Sequence, residues 1–233
     1  MEQFIRSSIV IGDENINKLK TKTIMVCGLG GVGSYVFEAL VRMGVGHIII
    51  VDHDIISVSN LNRQLLALHS TIGKLKVEVA KTRGLDINPN VNIEAYPVFI
   101  GNDTINSFSY NHLDYIIDAI DNVTGKLLLI EKALEYNIPI ISSMGTGNKT
   151  NPLKLSLTDI NKTTTCPLAK VMRYELRKRG INRLQVLAST EEPHQEKILF
   201  DDNNHPIIGS TSYVPSVAGL IIASEVIRKL TIN

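Results

Sequence analysis

The sequence predicts an α/β fold with a Rossmann-like, doubly wound and mostly parallel sheet, to which antiparallel strands and a C-terminal helix are added. Up to about residue 144, short β-branched runs alternate with helical patterns, which is typical of βαβ units. The run DYIIDAID, residues 114–121, is apolar on both faces, as expected for a central strand covered by helices. A glycine cluster, GLGGVG at 28–33, directly follows the first predicted strand.

The elements follow in a regular order. Strands are predicted at 23–28, 47–52, 91–98, 114–119 and 138–142. Helices are predicted between them at 31–44, 73–86 and 124–136. Beyond these, the alternating run LKLSLTDI predicts an antiparallel strand, and the remaining pattern predicts a helix from Pro167 to about Arg179, a strand and loop over 184–200, and a helix from about Pro215.

Length and composition limit the domain organisation, the cysteine sites and the cellular location that we expect. A chain of 233 residues that is 44% hydrophobic can bury one core, so we expect a single domain, with a nucleotide-binding part at 1–145 and a second part at 146–233. The two cysteines form no CxxC pair, which argues against a disulfide framework or a zinc site built from such pairs. The N-terminus lacks a signal-peptide pattern, and the apolar stretch near the C-terminus is shorter than the ~20 residues that span a bilayer. We therefore expect a cytoplasmic protein with no membrane partner.

The glycine cluster predicts a nucleotide site. Gly28, Gly30 and Gly33 satisfy G-x-G-x-x-G, with Gly31 between them, and Asp52 lies at the end of the next strand, where an acid meets ribose hydroxyls. Glycines let backbone N–H groups approach phosphate oxygens at a helix N-terminus. The motif is compatible with NAD, FAD and ATP, and also with a tight turn that binds no ligand.

Residues after the second strand favour a triphosphate. Four polar side chains follow in a loop and at a helix start: Asn60, Arg63, Gln64 and Lys76. Cations there face the phosphate end of a nucleotide, where charge builds during attack on a triphosphate; the alternative is a pair of solvated surface cations. Asp121, past the central strand, suits a Mg²⁺ ligand or a cap of the helix near Thr124.

In order along the chain, G-x-G-G-x-G, D-x-D, SNLNRQ, GKLK and DAIDN resemble the ubiquitin-activating-enzyme superfamily of adenylating enzymes, which includes the bacterial molybdopterin-synthase and thiamine-biosynthesis adenylyltransferases. The resemblance implies ATP and Mg²⁺, with Asp52 on the ribose, Asn60, Arg63 and Lys76 on the phosphates, and Asp121 at the phosphates with Mg²⁺. By the same resemblance, Arg6 in RSSIVIG reaches the active site of the other subunit of a homodimer. The full set of ATP-binding candidates is Gly28, Gly30, Gly31, Gly33, Asp52, Asp54, Asn60, Arg63, Gln64, Lys76, Asp121 and Asn122, and the catalytic candidates are Arg63, Lys76, Asp121 and Arg6.

The second part of the chain resembles one branch of that superfamily, the tRNA threonylcarbamoyladenosine dehydratases. The resemblance rests on LTDINKTTTCPLAKVMRYELRKRGI, STEEP and GSTSYVPSVAGLIIASEVIRKL. It implies adenylation of a threonyl carboxylate on tRNA followed by ring closure with net loss of water. Activation of the C-terminus of a small sulfur-carrier protein is the alternative, although members with that activity usually carry two CxxC zinc pairs. Whether a sulfur-transfer protein assists stays open.

A basic segment is compatible with an RNA substrate. Residues 170–183 hold six cations and one acid, Glu175, for a local charge of +5, whereas the whole chain carries +1. The solvated face of an amphipathic helix explains the same pattern. The tRNA-binding candidates are Lys170, Arg173, Arg177, Lys178, Arg179 and Arg183. Of the cysteines, we expect Cys27 to be a core residue and Cys166 not to be essential. His69, His112, His194 and His205 show no metal-ligand spacing, and a strand-end surface position explains His53, between two acids, as well as catalysis does.

Overall fold

The centre of the molecule is a mixed sheet. The computed structural model describes residues 2–201 and 204–231, and within them seven strands form one sheet in the order β3-β2-β1-β4-β5-β7-β6. The strands are β1 Thr23–Cys27, β2 His47–Val51, β3 Asn92–Tyr96, β4 Tyr115–Asp118, β5 Ile140–Ser143, β6 Leu155–Asp159 and β7 Gln185–Ser189. β6 pairs antiparallel with β7, and the other neighbours pair in parallel. The predicted fold class is confirmed.

Helices cover both faces of this sheet. They are α1 Ile5–Ile11, α2 Asp13–Lys20, α3 Gly33–Arg42, α4 Lys76–Ile87, α5 Val123–Glu135, α6 Pro167–Lys178 and α7 Val214–Thr231. The predicted helices are present with boundaries shifted by a few residues, and α1 and α2 are additions that the sequence analysis did not predict. None of the described helices has the length and apolar character needed to cross a membrane.

The apolar strand pattern matches the burial. All residues of β1 and of β4 are buried, because α3 and α7 pack on one face of the sheet and the region of α5 covers the other. A third apolar cluster joins α5, α6 and β7. The second part of the chain therefore shares its sheet and its packing with the first.

The sheet changes direction between β1 and β4. These two strands are neighbours, with Cys27 opposite Asp118, but the chain leaves β1 toward β2 and leaves β4 toward β5. At such a switch point the connections diverge and open a crevice outside the carboxyl ends of the strands. The predicted glycine cluster follows β1 directly, so it lies at the edge of this crevice.

Candidate active site

A cleft of about 440 Å³ occupies the switch point. It is lined by all but one of the predicted nucleotide-binding residues, namely Gly28, Gly30, Gly31, Asp52, Asp54, Asn60, Arg63, Gln64, Lys76, Asp121 and Asn122. The remaining one, Gly33, is the first residue of α3. The fold thus brings segments from β1, β2, α4 and β4 to one concave surface.

The glycine turn depends on close backbone contacts. Gly28 has a φ of +89°, and a Cβ there would lie 2.7 Å from the carbonyl oxygen of Ala119. A Cβ on Gly33 would lie 1.8 Å from the carbonyl oxygen of Gly28. Both positions therefore require glycine for the turn itself, and the turn places the N-terminus of α3 at the cleft.

Asp52 connects the second strand to the glycine turn. Its carboxylate accepts hydrogen bonds from the backbone N–H of Leu29 at 2.6 Å and of Asp54 at 2.8 Å. The ammonium of Lys76 lies 2.6 Å from Oδ2 of Asp54 and 3.9 Å from Oδ2 of Asp52. Lys76 is only 4% exposed, so a buried cation stands beside two carboxylates at the wall of the cleft.

The loop before α4 presents amide and guanidinium groups. Oδ1 of Asn60 accepts a hydrogen bond from the N–H of Ser57 at 3.1 Å, which fixes the loop. Arg63 is half-buried and donates to the carbonyl oxygen of Ser59 at 2.9 Å. Gln64 is 8% exposed, and its Oε1 has no hydrogen-bond partner among the described residues. A buried amide without a partner is costly, so the cleft is suited to a polar ligand at Gln64.

Asn122 takes the capping position that the sequence left open for Asp121. Asn122 is the N-cap of α5, and its side chain accepts a hydrogen bond from the N–H of Gly125 at 2.6 Å. The alternative that Asp121 caps this helix is therefore wrong. Asp121 is exposed at the cleft, and no donor among the described residues binds its carboxylate. A free carboxylate of this kind fits the oxygen ligands that Mg²⁺ prefers.

Other lining residues were missed by the sequence analysis. They include Val98, Phe99 and Ile100 after β3, residues 143–147 at the end of β5 and after it, Leu168 at the start of α6, and Ile208, Gly209, Ser210 and Pro215 before and in α7. The residues near the ends of β3 and β5 could have been predicted, since loops after parallel strands all reach the carboxyl edge of the sheet. The residues of α6 and those before and in α7 could not, because only the packing of residues 146–233 brings them to the cleft.

Arg6 lies outside the cleft. It is an exposed residue of α1 and does not line the cleft of its own chain. Its position is compatible with a role in a neighbouring subunit, which stays a prediction.

The predicted basic segment does not form one free cationic face. Arg173 donates to the carbonyl oxygen of Thr163 at 2.8 Å, Arg177 contacts Asn161, Lys178 pairs with Glu175, and Arg179 pairs with Glu131 and Glu175. Arg183 lines a separate groove beside the amino-terminal end of β7. Lys170 is exposed near the cleft end of α6, and its ammonium has no partner in the part of the chain that the structure describes.

The two cysteines are buried and unpaired. Cys27 belongs to β1, as predicted, and burial together with the charge of Asp118 raises the pKa of its thiol. A thiol held in this protonated form is a poor nucleophile. Cys166 precedes α6, with its Sγ 3.3 Å from where a Cβ on Gly145 would lie.

The chain is similar to known proteins over almost its whole length. The model of the ThiF family matches residues 4–233. The tRNA threonylcarbamoyladenosine dehydratase of Bacillus subtilis (strain 168) is 42% identical over 245 aligned positions, which cover 99% of this chain and 95% of that protein.

Two solved structures of the E. coli tRNA N6-threonylcarbamoyladenosine dehydratase, TcdA, are similar over 98% of this chain. The complex with AMP has a TM-score of 0.90, 30% identity and 94% coverage of its own chain. The complex with ATP has a TM-score of 0.87, 29% identity and 93% coverage. Because the family model spans nearly the whole sequence, this chain belongs to the ThiF family.

Proposed function

We propose that this protein is an ATP-dependent tRNA threonylcarbamoyladenosine dehydratase. The observation that carries the proposal is its full-length similarity to the Bacillus subtilis enzyme of that name, whose length it nearly matches. The cleft supports it, since E. coli structures of the same fold are complexes with ATP and AMP. The proposal includes a cytoplasmic location.

The proposed reaction has two steps. An oxygen of the threonyl carboxylate attacks the α-phosphorus of ATP, the bond from that phosphorus to the bridging oxygen breaks, and pyrophosphate leaves. The carbamoyl group of the same nucleoside then attacks the activated acyl carbon, the bond from that carbon to the phosphate oxygen breaks, and AMP and one N–H proton leave as the ring closes. The first step needs no general base, because a carboxylate is already ionised near neutral pH. The protein contributes positioning and stabilisation of charge.

The cleft residues divide this work by position. The glycine turn and the N-terminus of α3 would offer backbone N–H groups to the phosphates, and Asp52, which also lines the cleft, would bind the ribose hydroxyls. Arg63 and Lys76 supply positive charge that offsets the charge on the leaving pyrophosphate. Asp121 would hold Mg²⁺, which neutralises phosphate charge when it is bound.

The test is a direct assay of the nucleoside. The protein is incubated with ATP, Mg²⁺ and tRNA that carries threonylcarbamoyladenosine, and nucleosides are analysed by mass while AMP is quantified. We expect the modified nucleoside to lose one water for each AMP formed, and tRNA without the modification to release no AMP. An unchanged nucleoside would contradict the proposal. If AMP appeared only with a carrier protein ending in Gly-Gly, the alternative activity would be supported instead.

For tRNA binding, we propose that Lys170 contacts a phosphate beside the modified nucleoside, since it follows the cleft residue Leu168 by two positions on α6 and its ammonium has no partner among the described residues. Lys170→Glu is expected to weaken tRNA binding and to flatten its dependence on salt by about one ion. Lys18→Glu, the same charge change on exposed α2, is the matched control. If both variants changed tRNA affinity and its salt dependence equally in a filter-binding titration, the proposed contact of Lys170 would be refuted, and α6 would be a solvated helix.

We also propose a homodimer in which Arg6 reaches the cleft of the partner. The exposed face of α1 supports an interface, because Ile5, Ile9 and Val10 beside Arg6 are 56%, 79% and 81% exposed. Exposed aliphatic side chains grouped on one short helix are typical of contact surfaces.

A further inference from the structure

A buried ion pair lies directly beneath the cleft. Asp118 ends β4 and Lys126 lies in the second turn of α5, and both side chains are fully buried. The ammonium of Lys126 is 3.1 Å from each carboxylate oxygen of Asp118, and it also donates to Oγ of Ser142 at 3.2 Å and to the carbonyl oxygen of Ser143 at 2.8 Å. The network joins the ends of two strands to one helix.

This network fixes the segment that presents Asp121. At the start of the segment, Oδ1 of Asp118 accepts a hydrogen bond from the N–H of Ile120 at 3.3 Å. At its end, the cap made by Asn122 holds the first turn of α5, and one turn later the same helix contributes Lys126. Asp121 lies between these two anchors, and its own carboxylate is free. The backbone that carries this carboxylate is therefore held on both sides by its neighbours.

Stability alone does not account for such a pair. Removing two charges from water costs free energy that their attraction often only offsets, so apolar residues of similar volume frequently serve a core equally well. A lysine with four directed contacts does something that an apolar side chain does not, because it fixes the ends of β4 and β5 relative to α5. Displacement of a catalytic group by about 1 Å can cost ~10²-fold in rate.

We propose that Lys126 is a positioning residue, which acts through Asp118 and the segment 119–122 to aim the carboxylate of Asp121 at the metal and the triphosphate. The inference rests on the proposed function only in taking ATP with Mg²⁺ as the ligand. Neither Lys126 nor Asp118 lines the cleft, so both act without touching the nucleotide.

The experiment measures ATP affinity by titration calorimetry with and without Mg²⁺, in the full-length protein. Lys126→Met is expected to reduce the gain in affinity that Mg²⁺ confers by ~10-fold or more. Affinity without Mg²⁺ should fall by a smaller factor, because Asp52, Arg63 and Lys76 lie outside the network and only the glycine turn packs against Ala119. In a protein that already carries Asp121→Asn, Lys126→Met should reduce the affinity for ATP with Mg²⁺ little further, since two residues that act through one contact have non-additive effects.

The inference would be overturned if Lys126→Met lowered ATP affinity by the same factor with and without Mg²⁺. It would also be overturned if the losses of affinity from Lys126→Met and Asp121→Asn multiplied in the double variant. In either case Lys126 would be a structural residue. Should Lys126→Met not fold, Lys126→Arg keeps the charge and alters only the geometry, and it is expected to show the same Mg²⁺-specific loss in smaller measure. A loss with Lys126→Arg that is independent of Mg²⁺ would equally overturn it. A wild-type protein that binds ATP with Mg²⁺ but leaves the nucleoside unchanged would instead contradict the proposed function.

Discussion

Lys76→Ala and Arg63→Ala are each expected to lower AMP release at saturating ATP by ~10²-fold or more. Both side chains line the cleft, and Lys76 is almost completely buried, where a charge interacts more strongly than in water. Negative charge grows on the phosphoryl oxygens and on pyrophosphate as the α-phosphorus is attacked. Without these cations, Asp52 and Asp54 would leave the cleft with negative charge that opposes this build-up.

The matched control is Lys74→Ala. Lys74 is an exposed lysine two residues before Lys76 and does not line the cleft, so its removal should leave turnover within about twofold of wild type. Thermal unfolding of each variant separates loss of charge from loss of fold, since Lys76→Ala also removes the counter-ion of Asp54. Near-wild-type AMP release by both cleft variants would refute the proposed role of these cations.

Gly33→Ala is expected to destabilise the protein by about 3 kcal/mol or more and to abolish ATP binding. The added methyl group would lie 1.8 Å from the carbonyl oxygen of Gly28, and this obstacle is backbone that cannot rotate away. Alanine is the better helix former, so intrinsic propensity at the start of α3 would favour the substitution. A loss of stability would therefore report the steric contact alone.

Gly30→Ala provides the comparison within the same loop. The nearest atom to its Cβ would be Nε2 of Gln64 at 3.9 Å, an ordinary contact. We expect folding stability within ~0.5 kcal/mol of wild type, but weaker ATP binding because the methyl group enters the cleft. Calorimetric unfolding and ATP titration of both variants test the pair. Unchanged stability and ATP affinity in Gly33→Ala would show that the turn does not constrain the site as described.

Several features of the site could be predicted from local patterns. The glycine cluster, Asp52 and the run from Asn60 to Lys76 each follow an apolar strand or open a helix, and parallel strands place all such positions at one edge of the sheet. Asp121 was ambiguous for a physical reason. An acid and an amide stand side by side before α5, and which of them caps the helix depends on where the backbone turns, a matter of one residue.

The contacts of the basic segment, residues 170–183, could not be predicted from the sequence pattern. The net charge of a segment can be counted from its sequence. Whether a cation in it is free to bind a ligand depends on the contacts that the fold gives it. Arg173 and Arg179 are occupied by Thr163 and Glu131, and Glu131 lies on a different helix. Nothing in the spacing of residues 170–183 indicated these contacts.

The sequence by itself determined the order of strands and helices from β1 onward, the glycine turn with its acid, and the polar residues that follow several of the strands. These features depend on interactions between residues close along the chain, which periodicity and residue type report directly. The tertiary structure alone decided which of those residues meet and what closes the cleft around them. Pro215 reaches the glycine turn, Ile208 packs against Gly147 at the cleft, and Lys126 reaches Asp118, because the chain crosses over the sheet and packs there. Such contacts follow from topology and shape, which no local pattern encodes.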